Sequence, residues 1–323
     1  MRRLLLSAFL ALSFTACSDD DDPTPPSGNT DAGVDAGTDG GTTDSGTEDG
    51  GSTDGGTGDG GSDGGTSTGS SGGSGKLPCD STGTVTQNNQ TYTYCVAKVA
   101  GTELKLVEPR VGIIASPMHL AIYLHGDGAR AHTGNTAPRL QAPWAFENQT
   151  LYISALAPNK CAWWTKPSVT NCAVEGTAAD RDLDGDNAKA LVEIIDTVRK
   201  RWDIIDEPIL FGGSSGGSVF LTASFLPRYG DRYRGVYALG CGGEAPWADK
   251  LEWDSTNPAL RGSTRLFYTF GDQDEYITDI RASITAFRAY AFPLTESVIA
   301  GAAHCAFDHI GGVKDIWAAE LAK

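Results

Sequence analysis

Ser215 lies in the stretch "ILFGGSSGGSVF" (Ile209–Phe220), where an apolar run meets a cluster of glycines and serines. Gly213-Ser214-Ser215-Gly216-Gly217 fits G-x-S-x-G, and an apolar, helix-compatible run follows it. A serine hydroxyl is a weak nucleophile until a base takes its proton, and it needs room to attack. Glycines on both sides permit a turn too tight for side chains near the serine backbone. The pattern makes Ser215 the expected nucleophile, with its Oγ above the start of a helix. Ser214 and Ser218 are out of register.

The base must come from five histidines: His119, His125, His132, His304 and His309. His304, in "VIAGAAHCAF", directly follows the last strand-like run and is the expected base. His309 is its rival, but "FDHI" opens the next helical region. An acid to orient the imidazole should follow the preceding strand, in "LFYTFGDQDEYI". Asp272 is close enough to the strand end to cap the turn, whereas Asp274 extends further and is the expected acid. The order is then Ser215, Asp274, His304, one of the known orders of a nucleophile–acid–base set. A developing oxyanion needs two backbone N–H donors. Gly216 would supply one, and Gly126 or Asp127 in "YLHGDGARAHTG" the other, with His125 bracing that loop.

Such residues need rigid elements behind them. "TYTYCVAKV", "ELKLVEP", "HLAIYLHGDG" and "TLYISALAP" read as strands. "DNAKALVEIIDTVRKRW" carries apolar residues at Ala190, Leu191, Ile194, Ile195 and Val198, the spacing of an amphipathic helix. The strand "PILFGG", the helix "GGSVFLTASFL" and the strands "YRGVYALG" and "TRLFYTFGD" follow. The helix "ITDIRASITAFRAYAF", the strand "TESVIAG" and a short helix near "VKDIWAAELA" complete the pattern. Alternating strands and helices predict an α/β fold, a mainly parallel sheet covered on both faces. Sites in such sheets form beyond the C-terminal ends of the strands, where the candidate residues stand.

"LHGDG", "GGSSGG", "GDQD" and "GAAHC", in this order and spacing, resemble an α/β-hydrolase. More narrowly, they are similar to the secreted esterases that include polyhydroxybutyrate depolymerases and feruloyl or acetylxylan esterases. The resemblance covers about Leu104 to Lys323. It implies the α/β-hydrolase fold, a Ser215–His304–Asp274 triad and an ester substrate that is polymer-derived or polysaccharide-linked. It implies neither a metal nor an organic cofactor. Some feruloyl esterases and tannases bridge a cysteine just before the serine to one just after the histidine. Here Cys305 follows His304, but Ser214 takes the other place, and Cys241 is the candidate partner. Two other readings stay open: a peptidase of the same fold, and an inactive surface binding protein.

The N-terminal region has a different composition. Arg2 and Arg3 precede "LLLSAFLALSF", which ends at "TAC" with Cys17. A basic start, a short apolar core and small residues read as a secretory signal, too short to span a bilayer. "FTAC" resembles a bacterial lipobox, with Phe14 where leucine is usual, and implies acylation of Cys17. Membrane attachment would then be through lipid, with the folded part in the cell envelope or released from it. Residues 18–75 are almost wholly Asp, Gly, Ser and Thr and lack any aromatic side chain, which predicts a disordered tether. The expected folded domain is 76–323.

Of the 41 acids, 13 fall in the tether, so the net charge of −16 is mostly tether and nucleic-acid binding is unsupported. Apart from Cys17, six cysteines remain in an exported chain. Short loops favour Cys79–Cys95 and Cys161–Cys172, leaving Cys241–Cys305. "DRDLDGD" (Asp180–Asp186) starts like a calcium loop, but Leu191 stands where the bidentate glutamate belongs, so a helix-capping turn is expected instead. Trp163 and Trp164, in "CAWWTKP", are candidate substrate-binding residues.

Overall fold

A computed structural model describes residues 69–110, 117–173, 176–248, 251–253 and 258–323. The expected signal segment, Cys17 and most of the tether lie outside these residues. The strands are β1 (Ser81–Gln87), β2 (Gln90–Val99), β3 (Thr102–Val107), β4 (His119–Leu124), β5 (Thr150–Ala155), β6 (Ile209–Ser214), β7 (Gly235–Gly240), β8 (Arg265–Gly271) and β9 (Leu294–Ile299). They form one sheet in the order β1-β2-β3-β5-β4-β6-β7-β8-β9. β1, β2, β3 and β5 pair antiparallel, and from β5 to β9 every neighbour is parallel. This is the α/β class expected from the sequence.

The helices are α1 (Arg130–Thr133), α2 (Thr136–Glu147), α3 (Asp186–Arg201), α4 (Gly216–Phe220), α5 (Leu226–Tyr229), α6 (Pro258–Gly262), α7 (Ile277–Ala289) and α8 (His309–Leu321). Strand side chains alternate between two layers, as a period of two requires. Leu120, Ile122 and Leu124 join one core with Leu191, Ile194 and Ile195 of α3 and Ile284 of α7. Ala121 and Tyr123 join the other with Ala142 of α2 and Trp317 of α8. Helices therefore cover both faces, and the central strands are apolar on both sides. The three cysteine pairings are those expected: Cys79–Cys95, Cys161–Cys172 and Cys241–Cys305. No described helix is long and apolar enough to cross a membrane.

Three features depart from the sequence reading. Residues 69–75, assigned to the tether by composition, run against the segment after α3. Ser71 N donates to Ile204 O at 2.9 Å, and Asp206 N to Gly69 O at 3.0 Å. Backbone pairing needs no particular side chain, so Ser and Gly gave no signal of it, and the folded part begins before Lys76. α2 was not anticipated: its buried face is Ala137, Pro138, Gln141, Ala142 and Ala145 and it contains Pro143, so apolar periodicity is weak. β1 was missed because Val85 is its one buried residue.

Candidate active site

The site is built on the C-terminal ends of β4, β6, β7, β8 and β9. Between β6 and α4 the chain reverses at Ser215, which has φ 47° and ψ −118°. A non-glycine residue at positive φ stores about 1–3 kcal/mol of strain that surrounding contacts must offset. Ser215 N donates to Gly240 O of β7 at 2.9 Å. The flanking glycines leave no space for a side chain: a Cβ at Gly217 would come 2.3 Å from Leu124 O, and one at Gly213 2.7 Å from Ser218 N. Ser214 Oγ and Ser218 Oγ are engaged elsewhere, with Tyr123 Oη at 2.6 Å and Gly240 O at 3.1 Å respectively.

Ser215 Oγ lies 2.9 Å from His304 Nε2. On its other side, His304 Nδ1 is 3.0 Å from both Asp274 oxygens. Nδ1 must donate to the carboxylate, so Nε2 of the neutral ring is left as the acceptor facing Ser215. Asp274 is 3% exposed, and its Oδ1 also accepts from Tyr276 N at 2.9 Å. The Tyr276 ring meets the imidazole edge-on, with centroids 4.8 Å apart. Asp272 has a different place: its Oδ1 accepts from Gly301 N at 2.7 Å and holds the turn after β9. His309 opens α8, its Nδ1 3.0 Å from Phe307 O, and burial lowers its pKa. Cys305 follows His304 directly, so its bridge to Cys241 ties the histidine loop to the end of β7.

The loop after β4 approaches the nucleophile. A Cβ on Gly126 would lie 3.2 Å from Ser215 Cβ, and one on Gly216 would lie 1.9 Å from Asp127 Oδ1. His125 Nδ1 donates to Gly126 O at 2.7 Å, and His125 Nε2 accepts from Ala157 N at 2.9 Å. These two bonds require the neutral tautomer with the proton on Nδ1. Burial lowers the His125 pKa to about 3. Because the C=O and N–H of a trans peptide point in opposite directions, pinning the Gly126 carbonyl fixes the direction of Asp127 N–H. Beneath this loop His132 is fully buried, its Nδ1 2.9 Å from Ser154 Oγ, and burial lowers its pKa to about 3 as well.

Ser215 and His304 open on a cleft of about 800 Å³. Trp164 lines it, with its Nε1 donating to Asp127 Oδ1 at 3.0 Å and Oδ2 at 2.9 Å. Trp163 does not: it is fully buried and its ring packs 5.3 Å from that of Phe220. The expectation for Trp163 is therefore corrected, since a core side chain offers no surface to a substrate. In the acidic turn, Asp182 accepts from Asn187 N at 2.7 Å and Asp186 N at 3.1 Å, capping α3. Asp180 forms a capping box with Thr177. Those carboxylates are committed to backbone, in keeping with the capping turn. Cys241, Cys305 and His309 cluster closely enough to hold a metal ion, but the two sulfurs are bonded to each other and offer no thiolate. Arg130, Arg181, Glu244 and Tyr276 also line the cleft. Sequence reasoning missed them because only the fold assembles them; Tyr276, two residues after Asp274, was the one within sight.

No family model matches the chain, and no curated protein does. Among solved structures it is similar to Est1E from Butyrivibrio proteoclasticus, at 14% identity and TM-score 0.45 over 71% of this chain and 99% of that one. It is also similar to Zea mays acyl-protein thioesterase 2, at 16% identity and TM-score 0.49 over 68% and 98%. A phospholipase/carboxylesterase from Dyadobacter fermentans matches at 16% identity and TM-score 0.45 over 66% and 95%.

Proposed function

We propose that this chain is a serine hydrolase of carboxylic esters. Ser215 Oγ attacks the ester carbonyl while His304 Nε2 takes its proton. The imidazolium that forms is stabilised by Asp274. The oxyanion is held by the N–H of Gly216 and by the 126–127 loop, through Asp127 or Gly126. Collapse of the tetrahedral species expels the alcohol, which takes the proton from His304 and leaves an acyl-serine. Water, deprotonated by the same histidine, then releases the acid and restores Ser215.

The observation that carries the reading is the unbroken relay from Ser215 Oγ to His304 to Asp274, at 2.9 Å and 3.0 Å, on a strained turn above an open cleft. A cleft of about 800 Å³ has room for a bulky ester, and the substrate is proposed to be polymer-derived or polysaccharide-linked. The N-terminal region is proposed as a signal ending at acylated Cys17. A tether after it would let the folded part work beyond the cell envelope, with the anchor on a membrane.

Turnover of 4-nitrophenyl acetate and butyrate, beside Ser215→Ala, tests this. Release of nitrophenolate by the native chain and its loss in the variant are expected. Absence of turnover in folded protein across short and long acyl chains would sink the reading.

A further inference from the structure

We propose that the cleft takes an ester carrying a carboxylate, with Arg130 as its counter-charge; this rests on the ester reading of the Ser215 site. Two guanidinium groups line the cleft, Arg130 and Arg181. Arg181 is already paired with Glu244 and lies over the Trp247 ring at 5.8 Å. Arg130 is exposed, and among the described residues its guanidinium has no hydrogen bond or ion pair. It stands on α1, directly after the loop assigned to the oxyanion.

The turn that carries Arg130 is held by buried hydrogen bonds. Lys105 is 6% exposed, and its Nζ donates to His132 O at 2.6 Å and Asn135 Oδ1 at 2.7 Å. His132 in turn is held by Ser154 Oγ and, at 3.3 Å, by Glu103 Oε1. A buried ammonium is expensive unless its donors are satisfied. Here one is used to fix the carbonyl near the end of α1. The backbone of a one-turn helix is thereby fixed while its one cationic side chain stays unpaired in the cleft.

Apolar side chains also line the cleft. Ala131 and Ile310 pack on the core layer of α2 and α8, and Trp164 on the opposite layer. Asp127 is drawn to Trp164, and Asp279 lies on α7 beyond Tyr276. With Arg181 paired to Glu244, Arg130 is the guanidinium of the cleft left to meet a substrate anion. A guanidinium fork matches a carboxylate in plane and spacing, which an ammonium does not.

The test uses the full chain and matched ester pairs. For a carboxylate on the acyl side, these are 4-nitrophenyl hydrogen glutarate and 4-nitrophenyl valerate. For one on the alcohol side, they are the butyrates of 3-hydroxybenzoate and of its methyl ester. In at least one pair, Arg130→Gln is expected to lower the charged-to-neutral ratio of kcat/KM about ten- to hundredfold, through KM. Arg130→Lys should restore part of it, and added salt should erode it. A ratio unchanged by Arg130→Gln in both pairs overturns the proposal. Calorimetric binding of monomethyl glutarate to Ser215→Ala protein, with and without Arg130→Gln, requires no turnover. Arg130-dependent binding without any ester hydrolysis would sink the hydrolase reading and keep the anion site. Hydrolysis with an indifferent ratio and Arg130-independent binding would sink the anion site alone.

Discussion

His125 is predicted to act on catalysis without touching the substrate. Its Nδ1–H holds the Gly126 carbonyl at 2.7 Å, and its Nε2 satisfies the buried Ala157 N–H at 2.9 Å. Two substitutions separate these tasks. His125→Asn keeps an amide donor near the place of Nδ1 but loses the acceptor for Ala157. His125→Gln extends to the Nε2 position and releases the Gly126 carbonyl. A released carbonyl frees the peptide to turn, and Asp127 N–H, if it is the proposed oxyanion donor, loses its fixed direction. Loss of one such donor costs about 10²–10³ in kcat, or ~2.7–4 kcal/mol. Leaving Ala157 N–H unsatisfied costs about 1–3 kcal/mol of stability. His125→Gln should therefore lose about 10²-fold or more in kcat with near-native stability, while His125→Asn should unfold earlier and keep most of its kcat. Steady-state kinetics on 4-nitrophenyl butyrate and urea unfolding of both variants provide the readouts. Equal loss of kcat in the two variants, or a fully active His125→Gln, would refute the argument.

Asp274→Asn should lower kcat about 10⁴-fold with the fold intact, because the amide cannot stabilise an imidazolium. Asp272→Asn should leave kcat within about tenfold, since that side chain holds Gly301 N rather than His304; comparable losses would overturn the assignment. Replacing Cys241 and Cys305 together by Ala opens a bridge with a sequence separation of 64, which on the chain-entropy account is worth about 4 kcal/mol. A fall in Tm is expected, together with slower turnover because His304 adjoins the bridge. The pKa of His132 is lowered from 6.5 to about 3 in the folded chain, so on acidification the unfolded chain binds the proton first. Its contribution is fully present above about pH 6.5 and is lost toward pH 3, at about 1.4 kcal/mol per pH unit; His132→Asn should lessen the slope of the stability–pH curve there by about that amount, leaving the like contribution of His125. Limited proteolysis should remove the acidic N-terminal region and stop before Gly69. A stop at or beyond Lys76 would contradict the pairing of residues 69–75.

Much of the fold could be read because strand burial is written in side chains. "HLAIYL" and "ILFGG" are apolar on both faces since helices cover both. Ser215, His304 and Asp274 stood out because each follows a strand, and the choice of Asp274 over Asp272 rested on how far each extends. Features made by backbone were invisible, as at Gly75, and the Ser71 hydroxyl that bonds Trp202 O and Ile204 N looks like any other serine of the Ser/Gly run. Trp163 and Trp164 are neighbours of one type with opposite surroundings, one core and one cleft, and no local pattern separates them. Arg130 acquired its interest only from what the fold did not place beside it.

The most direct test of the central claim is intact-mass analysis after treatment with a fluorophosphonate. The serine oxygen bonds to phosphorus as fluoride leaves, so the adduct marks the activated hydroxyl. One adduct per chain is expected, mapped by peptide sequencing to Ser215 and absent from both Ser215→Ala and His304→Ala. An adduct on Ser214 or Ser218, or folded protein that takes up no label, would contradict it.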